Sequence, residues 1–564
     1  MKKKYMLATF IFLVFLLMAS LAFGNSGETK TVNYGIWSII PPLLAIVLAF
    51  VTKEVILSLL LGVFSGAVIN VFTTSNSGFF MKIIESYTKT FEYPVNALAD
   101  SWHAGIIIFT LTIGGLVGVI AKMGGTRAIA NALAKKAKTP RSAQLVTTLM
   151  GVVVFFDDYA NTLIVGPTMR PLTDKLRISR EKLSYIVDST AAPVATMAAI
   201  STWIGYELGL ISDAFNSLGT NVNPYNIFFQ SIPYRMYGLF ALFMVFMVGL
   251  LLRDFGPMYE AEKRARLTGK VLADNAEPML STDFEKELDN SNIPLKVSNA
   301  LIPILTLIIF AFIGLWYSGG GLEKPFSLEG IRNAFGDADA SAALIWASAL
   351  ASIVAVIMAV SQGIMTLRKA LEAWVEGAKS LVITTIILIL AWSIGSIATD
   401  LGTADYLVKV VSSSLPGWLI PSLVFVMSSI VAFATGTSWG TMAIMLPLAI
   451  PLAAAYTGNE PSTLVFATLG AVLTGSTFGD HCSPISDTTI MSSMASSADH
   501  IDHVKTQLPY AVTVAIIAFI GYILVGIGLP IWITLIIGFS LIWAILRFFG
   551  KSTDLKDLEL EKEI

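Results

Sequence analysis

The sequence predicts an all-α, polytopic membrane protein with inverted repeats, two re-entrant hairpins and two broken transmembrane helices. Three observations lead there. Only 13% of its 564 residues are charged and 55% are hydrophobic, whereas soluble domains average about 25% charged. Apolar runs close to the roughly 20 residues needed to span a bilayer follow one another along the chain. Polar stretches break some of these runs at membrane depth, in an order that recurs.

The N-terminus, MKKKYMLATFIFLVFLLMASLAFGNSG, has a basic start, an apolar run and the small-x-small triplet Ser20-Leu21-Ala22. Residues 1–33 therefore read as a signal peptide or a first transmembrane helix. Spans are expected at 5–23, 34–51, 55–73, 102–121, 183–211, 226–252, 298–317, 341–361, 378–398, 462–494, 508–528 and 530–549. The hydrophilic segment from Arg253 to Lys296 separates a first membrane half (34–252) from a second, inverted one (298–549). Residues 253–297 read as a cytoplasmic, solvated linker, and 550–564 as a charged tail.

Basic residues set the orientation. Lys135, Lys136, Lys138 and Arg141 precede the apolar stretch 142–169, and Arg170, Lys175, Arg177, Arg180 and Lys182 follow it. The positive-inside rule puts both clusters in the cytoplasm, so the stretch must enter and return. A re-entrant hairpin over about 142–171 satisfies this, with FFDDYAN at its tip. A second is expected over about 417–455, because YANTLIVGPTMRP aligns with WGTMAIMLPLAIP, Pro167 on Pro447 and Pro171 on Pro451. DSTAAPVATM likewise matches GDHCSPISDT around Pro193 and Pro484. An odd number of crossings between the repeats gives them opposite orientations, the signature of a secondary transporter with its site near the midplane.

Polar backbone at that depth is tolerated only where protein or a watery cavity surrounds it. Four such breaks occur, at 155–161, 188–193, 434–441 and 475–489. They are rich in oxygen, the ligand that hard cations prefer. Candidates for a Na⁺ site there include Asp157, Asp158, Asn161, Thr437, Ser438, Asp480 and Asp487. Asp188, Ser189, Thr190, Thr435, Ser476, Thr477 and His481 are secondary. An intramembrane carboxylate is a functional candidate by default. Several acids in one pocket can also hold protons, and competition between H⁺ and cation would couple their flows. The bland readings are helix capping for Asp480 and Asp487, helix packing for the Thr/Ser/Gly stretch near 435–441, and a mouth or snorkelling position for Glu207. Asp400 reads as structural.

Other classes are disfavoured. A net charge of −2 argues against a nucleic-acid partner, and the single cysteine, Cys482, rules out a disulfide framework or a Cys-rich metal site. His481 beside Cys482 does not supply the facing geometry of a nucleophile and its base. No enzyme and no cofactor is expected beyond the transported ions.

The segments FFDDYANTLIVGPTMRPLTDKLRISREKLSYIVDSTAAPVA, ATGTSWGTMAIMLPLAIPLA and GSTFGDHCSPISDTTIMSS resemble the NhaC family of Na⁺/H⁺ antiporters. The resemblance covers most of the chain between about 100 and 500. It implies alternating-access exchange of Na⁺ for H⁺ across the cell membrane, with Asp157, Asp158, Asn161, Thr437, Ser438, Asp480, Ser483 and Asp487 as the principal residues of the transport site. By analogy it also implies a hairpin domain that moves against a static scaffold able to pair into a homodimer. Some similar proteins exchange organic acids such as malate and lactate, or amino acids. A Na⁺- or H⁺-coupled exchanger of a small organic anion or amino acid is therefore the alternative.

Overall fold

The computed structural model describes residues 34–278 and 295–563, apart from 53, 136, 200, 221, 326, 328–329, 331–333, 335–337, 404–405, 407–414 and 485. The expected first helix or signal peptide lies outside these residues. The first half contains α1 (Ile40–Thr52), α2 (Val55–Thr74), α3 (Phe79–Ala99), α4 (Ser101–Lys122), α5 (Gly125–Ala134), α6 (Pro140–Val153), α7 (Asp158–Lys175), α8 (Arg180–Ser189), α9 (Ala192–Ala195), α10 (Thr202–Asn216), α11 (Pro224–Ser231) and α12 (Met236–Leu251). Strand β1 (Arg253–Asp254) and α13 (Gly256–Thr268) begin the insert. The second half contains α14 (Ser298–Ser318), α15 (Ala340–Ser361), α16 (Leu367–Ser380), α17 (Val382–Asp400), α18 (Ile420–Thr435), α19 (Ser438–Ala454), α20 (Thr463–Cys482), α21 (Asp487–Ser496), α22 (His500–Gly526) and α23 (Ile531–Phe548), closed by β2 (Lys551–Ser552) and α24 (Leu555–Glu563).

The chain is a multi-pass, all-α membrane protein. Among the described residues seven helices are long and apolar enough to cross a bilayer. An eighth span forms if the pair Pro224–Tyr234 and Met236–Leu251, bent by 50°, counts as one.

Local chemistry explains the breaks. Thr139 and Ser142 form a capping box at the start of α6, with Pro140 at the first helical position. Gly436, at φ +72°, ends α18 in the left-handed conformation that only glycine adopts without strain. Each of α7 and α19 carries two internal prolines, Pro167 and Pro171 in one, Pro447 and Pro451 in the other. Helices α6 and α18 start 280 residues apart, as do α7 and α19 (420 − 140 and 438 − 158). These two helix pairs thus keep the spacing of the sequence repeat.

Packing between the halves is reciprocal. Helix α3 lies on α17, and its counterpart α16 lies on α4. Helix α7 packs on α21 beyond the second break, and its counterpart α19 packs on α10 beyond the first. At one such contact Gly377 sits against Gly114 and Gly118, where a Cβ on Gly377 would stand 2.2 Å from the Gly114 carbonyl oxygen. Close helix approach through small residues is the usual membrane solution.

Helices α3 and α16 have no counterpart in the expected spans. Helix α3 is amphipathic with the apolar face outward, exposing Phe79, Phe80, Ile84, Tyr87 and Val95 and burying Ser86, Thr90 and Tyr93. Helix α16 turns Leu367, Leu371 and Val375 outward beside Arg368 and Glu372 and buries Ala370 and Ala373. Such helices suit the lipid–water boundary.

The start of the insert departs from the solvated-linker expectation because its charges find buried partners. β1 pairs antiparallel with β2 of the tail, Arg253 opposite Ser552. Asp254 accepts from the Lys182 ammonium and, at 2.6 Å, from the Tyr510 hydroxyl. Glu262 accepts from the Ser179 backbone N–H and hydroxyl, both at 2.8 Å, and pairs with Arg266 at 3.1 Å.

Candidate functional site

The four polar breaks meet. From the tip between α6 and α7, Asn161 donates through Nδ2 to the carbonyls of Gly151 (2.6 Å) and Thr190 (2.8 Å), with a longer contact to Val154 (3.3 Å). Thr190 ends α8, so this amide ties the first tip to the first helix break. Its Oδ1 is buried and accepts no hydrogen bond among the described residues. Beside Thr190, Ser189 Oγ lies 3.0 Å from His481 Nε2 at the end of α20. The neighbouring Asp480 accepts from Ser438 Oγ at 2.7 Å, and Ser438 is the first residue of α19. These hydrogen bonds, joined through the chain neighbours Ser189–Thr190 and Asp480–His481, link all four broken segments in one polar network.

Asp480 is the centre of its branch. Besides Ser438 it accepts from Ser486 Oγ and, at 3.2 Å, from Thr488 Oγ1, while its backbone carbonyl accepts from Thr489 Oγ1 at 3.1 Å. Ser483 donates to the Phe433 carbonyl at 2.7 Å, which ties the second break to α18. Asp188 accepts from Gln507 Nε2 at 2.7 Å and Ser492 Oγ at 3.3 Å. The other ring nitrogen of His481 lies 2.6 Å from the Tyr237 hydroxyl.

Asp157 and Asp158 are buried at the start of α7, one turn before Asn161, whose N–H donates to the Asp157 carbonyl at 3.0 Å. The Phe156 carbonyl accepts from Thr202 N–H at 2.9 Å, fixing the tip against α10. Asp487 opens α21, and its side chain lies outside the described residues. Gly166 lies against Ala495, and Arg170 Nη1 donates to Ser497 Oγ, so α7 and α21 run side by side in the same sense. Other candidates contribute less. Thr435, Ser476, Thr477 and Thr190 turn their hydroxyl protons back onto carbonyls of their own helices at 2.7–2.9 Å. Thr437 caps α19 without a side-chain capping bond.

Glu207 is not at a mouth. It is wholly buried in an ion pair with Arg235, Oε2 to Nη1 at 2.7 Å, and accepts from Thr196 Oγ1 at 2.7 Å. The Arg235 guanidinium also donates to the Thr196 carbonyl and lies 4.3 Å from the Phe228 ring centre. No cation occurs within the four broken segments, but Arg235, from the junction of α11 and α12, reaches the residues just beyond the first. Asp400, as expected of a structural residue, accepts from the Tyr93 hydroxyl at 2.7 Å. Sequence reasoning missed Arg235, Tyr237, Ser486, Thr488, Ser492 and Gln507. For Gln507 a signal existed, in the run of polar residues HIDHVKTQ that opens an otherwise apolar helix.

A multi-pass bundle with broken helices meeting at one buried polar network defines a membrane transporter. Its wider relationships agree. A profile described as the Na⁺/H⁺ antiporter family matches residues 4–198 and 194–527, and the chain belongs to that family. An uncharacterized protein of Haemophilus influenzae is 34% identical over 493 residues, 87% of this chain and 91% of its own. The malate-2H(+)/Na(+)-lactate antiporter of Bacillus subtilis is 37% identical over 102 residues, 18% of this chain and 20% of its own. The arginine/ornithine antiporter ArcD of Halobacterium salinarum is 28% identical over 264 residues, 44% and 45%. Among solved structures, the Alcanivorax borkumensis YdaH transporter has a TM-score of 0.53 at 12% identity, covering 78% of this chain and 90% of its own. Neisseria gonorrhoeae MtrF gives 0.53 and 12%, covering 86% and 94%. These two likenesses concern the fold alone.

Proposed function

We propose that this protein is an antiporter of the plasma membrane that exchanges Na⁺ for H⁺ by alternating access. The observation that carries the reading is the single network joining both tips and both helix breaks through Asn161, Ser189, His481, Asp480 and Ser438. A cation would take oxygens from Asp157, Asp158, Asn161, Thr437, Ser438, Asp480, Ser483 and Asp487. The buried Asn161 Oδ1 supports this, since such an oxygen costs free energy unless a hydrogen-bond donor or a cation meets it. Exchange follows if the acids must be neutralised before the site can change sides, by H⁺ in one direction and by cation in the other. Reciprocal packing of the halves supports an inverted repeat, and with it two access routes of opposite sense. Transport, not catalysis, is the activity, and the bilayer is the working environment; a homodimer through the scaffold helices remains part of the proposal.

A second reading rests on Arg235 and on the named relatives. The solute exchanged for Na⁺ or H⁺ would be a small organic acid or an amino acid, its carboxylate reaching Arg235 by displacing Glu207. The two readings separate in vesicles reconstituted with the protein and loaded with a pH dye. Internal pH change on adding Na⁺, Li⁺ or K⁺ alone supports cation exchange. A response only after malate, lactate, arginine or ornithine is added supports the second. Asp157→Asn, Asp158→Asn and Asp480→Asn should each abolish the response, and full activity in all three would overturn the site.

A further inference from the structure

Histidines 500 and 503 form a branch that the exchange reading leaves unused. His500 is half-buried at the start of α22, and its Nδ1 lies 3.0 Å from Ser493 Oγ. The same hydroxyl lies 2.8 Å from Nδ1 of His503, which is fully buried. His503 Nε2 lies 2.8 Å from Gln507 Oε1 and 3.9 Å from Asp188 Oδ2. Gln507 donates to that same Asp188 oxygen and also to the His481 carbonyl. Imidazole, hydroxyl, imidazole and carboxylate thus stand in line from the rim to the central network.

The outer end of the line faces the insert. Glu277 N–H donates to Asp499 at 2.8 Å, and Pro278 bridges to Asp499, the residue before His500. That segment follows Lys263, Arg264 and Arg266, which the positive-inside rule places in the cytoplasm. We propose that His500, Ser493 and His503 are the inlet through which protons pass between the cytoplasm and the Asp188 carboxylate. The inference rests on the coupling of transport to protons and deepens it.

Proton balance is simple. His500 keeps its Nε2 proton on the Pro484 carbonyl at 2.8 Å. As an imidazolium it passes its Nδ1 proton to Ser493 Oγ, and ends neutral, as the Ser493 hydroxyl proton moves to His503 Nδ1. For this the hydroxyl turns from the Thr489 carbonyl, 2.9 Å away, which it otherwise meets. The His503 imidazolium then releases its Nε2 proton to Asp188, the ring leaving Gln507 to close the 3.9 Å gap. His503 ends neutral, Asp188 ends neutral, and rotation of the rings restores the first tautomers. Gln507 touches both ends of the last step and is a positioning residue. Among the described residues the charged neighbours include Asp499 and Asp502 at the start of α22, Arg170 and Arg180 with Asp174 at the end of α21, Glu181 with Arg264 at 2.8 Å, and Asp480 inside.

The test compares two activities of reconstituted full-length protein: counterflow of labelled Na⁺ against Na⁺, which moves no net proton, and Na⁺-driven proton flux. His503→Gln and Ser493→Ala should leave counterflow near wild type and slow proton flux by about tenfold or more, the scale of a lost proton-transfer group. Millimolar imidazole should restore part of the flux in His503→Gln. Wild-type proton flux in both variants would overturn the inlet. So would an equal fall of counterflow and proton flux in both, since the branch would then only support the fold. A wild-type protein without Na⁺-driven proton movement would sink the cation-exchange reading instead, and the same comparison would be run with the organic solute that does drive it.

Discussion

The pair Arg235–Glu207 gives a prediction whose size can be worked from the contacts. Both side chains are excluded from solvent, so removing one charge strands the other. Breaking a buried pair in this way costs about 3–5 kcal/mol. Arg235→Met also loses the hydrogen bonds to the Thr196 carbonyl and to Ser231 Oγ, worth about 1 kcal/mol each. The single variant should therefore lose about 5–7 kcal/mol. Glu207→Gln keeps its shape and the Thr196 contact, and should lose about 3–5 kcal/mol. In the double variant no charge is stranded, and only the two hydrogen bonds are gone, about 2 kcal/mol. The double-mutant cycle then shows a coupling well above the roughly 0.5 kcal/mol expected of independent sites. Unfolding in mixed micelles by rising detergent fraction, followed by tryptophan fluorescence, measures it. Additive losses, with the double variant worst of all, would refute the argument.

Three further outcomes follow from the site. Gly151→Ala places a Cβ 1.9 Å from Thr190 Oγ1, and overpacking of that kind costs about 1–3 kcal/mol; an unchanged unfolding midpoint would show that the first tip is not clamped to its helix break. Asn161→Ala removes the donor shared by three carbonyls, a loss of about 2–3 kcal/mol, and Asn161→Asp should be worse because it points oxygen at oxygen; equal losses by the same assay would mean the amide is turned the other way. Ser438→Ala takes one donor from Asp480, and a bond to a charged group is worth about 1.5–3 kcal/mol. Because Ser438 is also one of the proposed cation ligands, the Na⁺ concentration for half-maximal exchange should rise about tenfold or more. An unchanged value in the vesicle assay would remove Ser438 from the site.

Much of this was legible in the sequence because broken helices leave local marks. Pro167 and Pro447, Pro171 and Pro451 repeat at one spacing, and polar residues inside apolar runs had to meet somewhere dry or watery but not in lipid. That logic found Asn161, Ser189, Ser438, Asp480 and His481. It overcounted hydroxyls such as Thr435 and Ser476, whose protons return to their own helices, a local choice that composition does not reveal. Helices α3 and α16 escaped because they turn apolar side chains outward and are too polar on average to score as spans. Glu207 was misjudged, and Arg235 overlooked, for a different reason. A lone charge near a span end reads as a rim residue, and only the fold brings its partner from another helix.

The exchange of partners between α7 and α21 bears on how the chain is made. Helix α7 emerges from the ribosome about 330 residues before the neighbour against which it finally rests, and at about 5–20 residues per second that is a wait of roughly 15–65 seconds. Throughout that interval the segment bearing Asp157 and Asp158 lacks its final cover. Newly made protein therefore depends on the insertion machinery to shelter a half-finished membrane domain until its complement arrives.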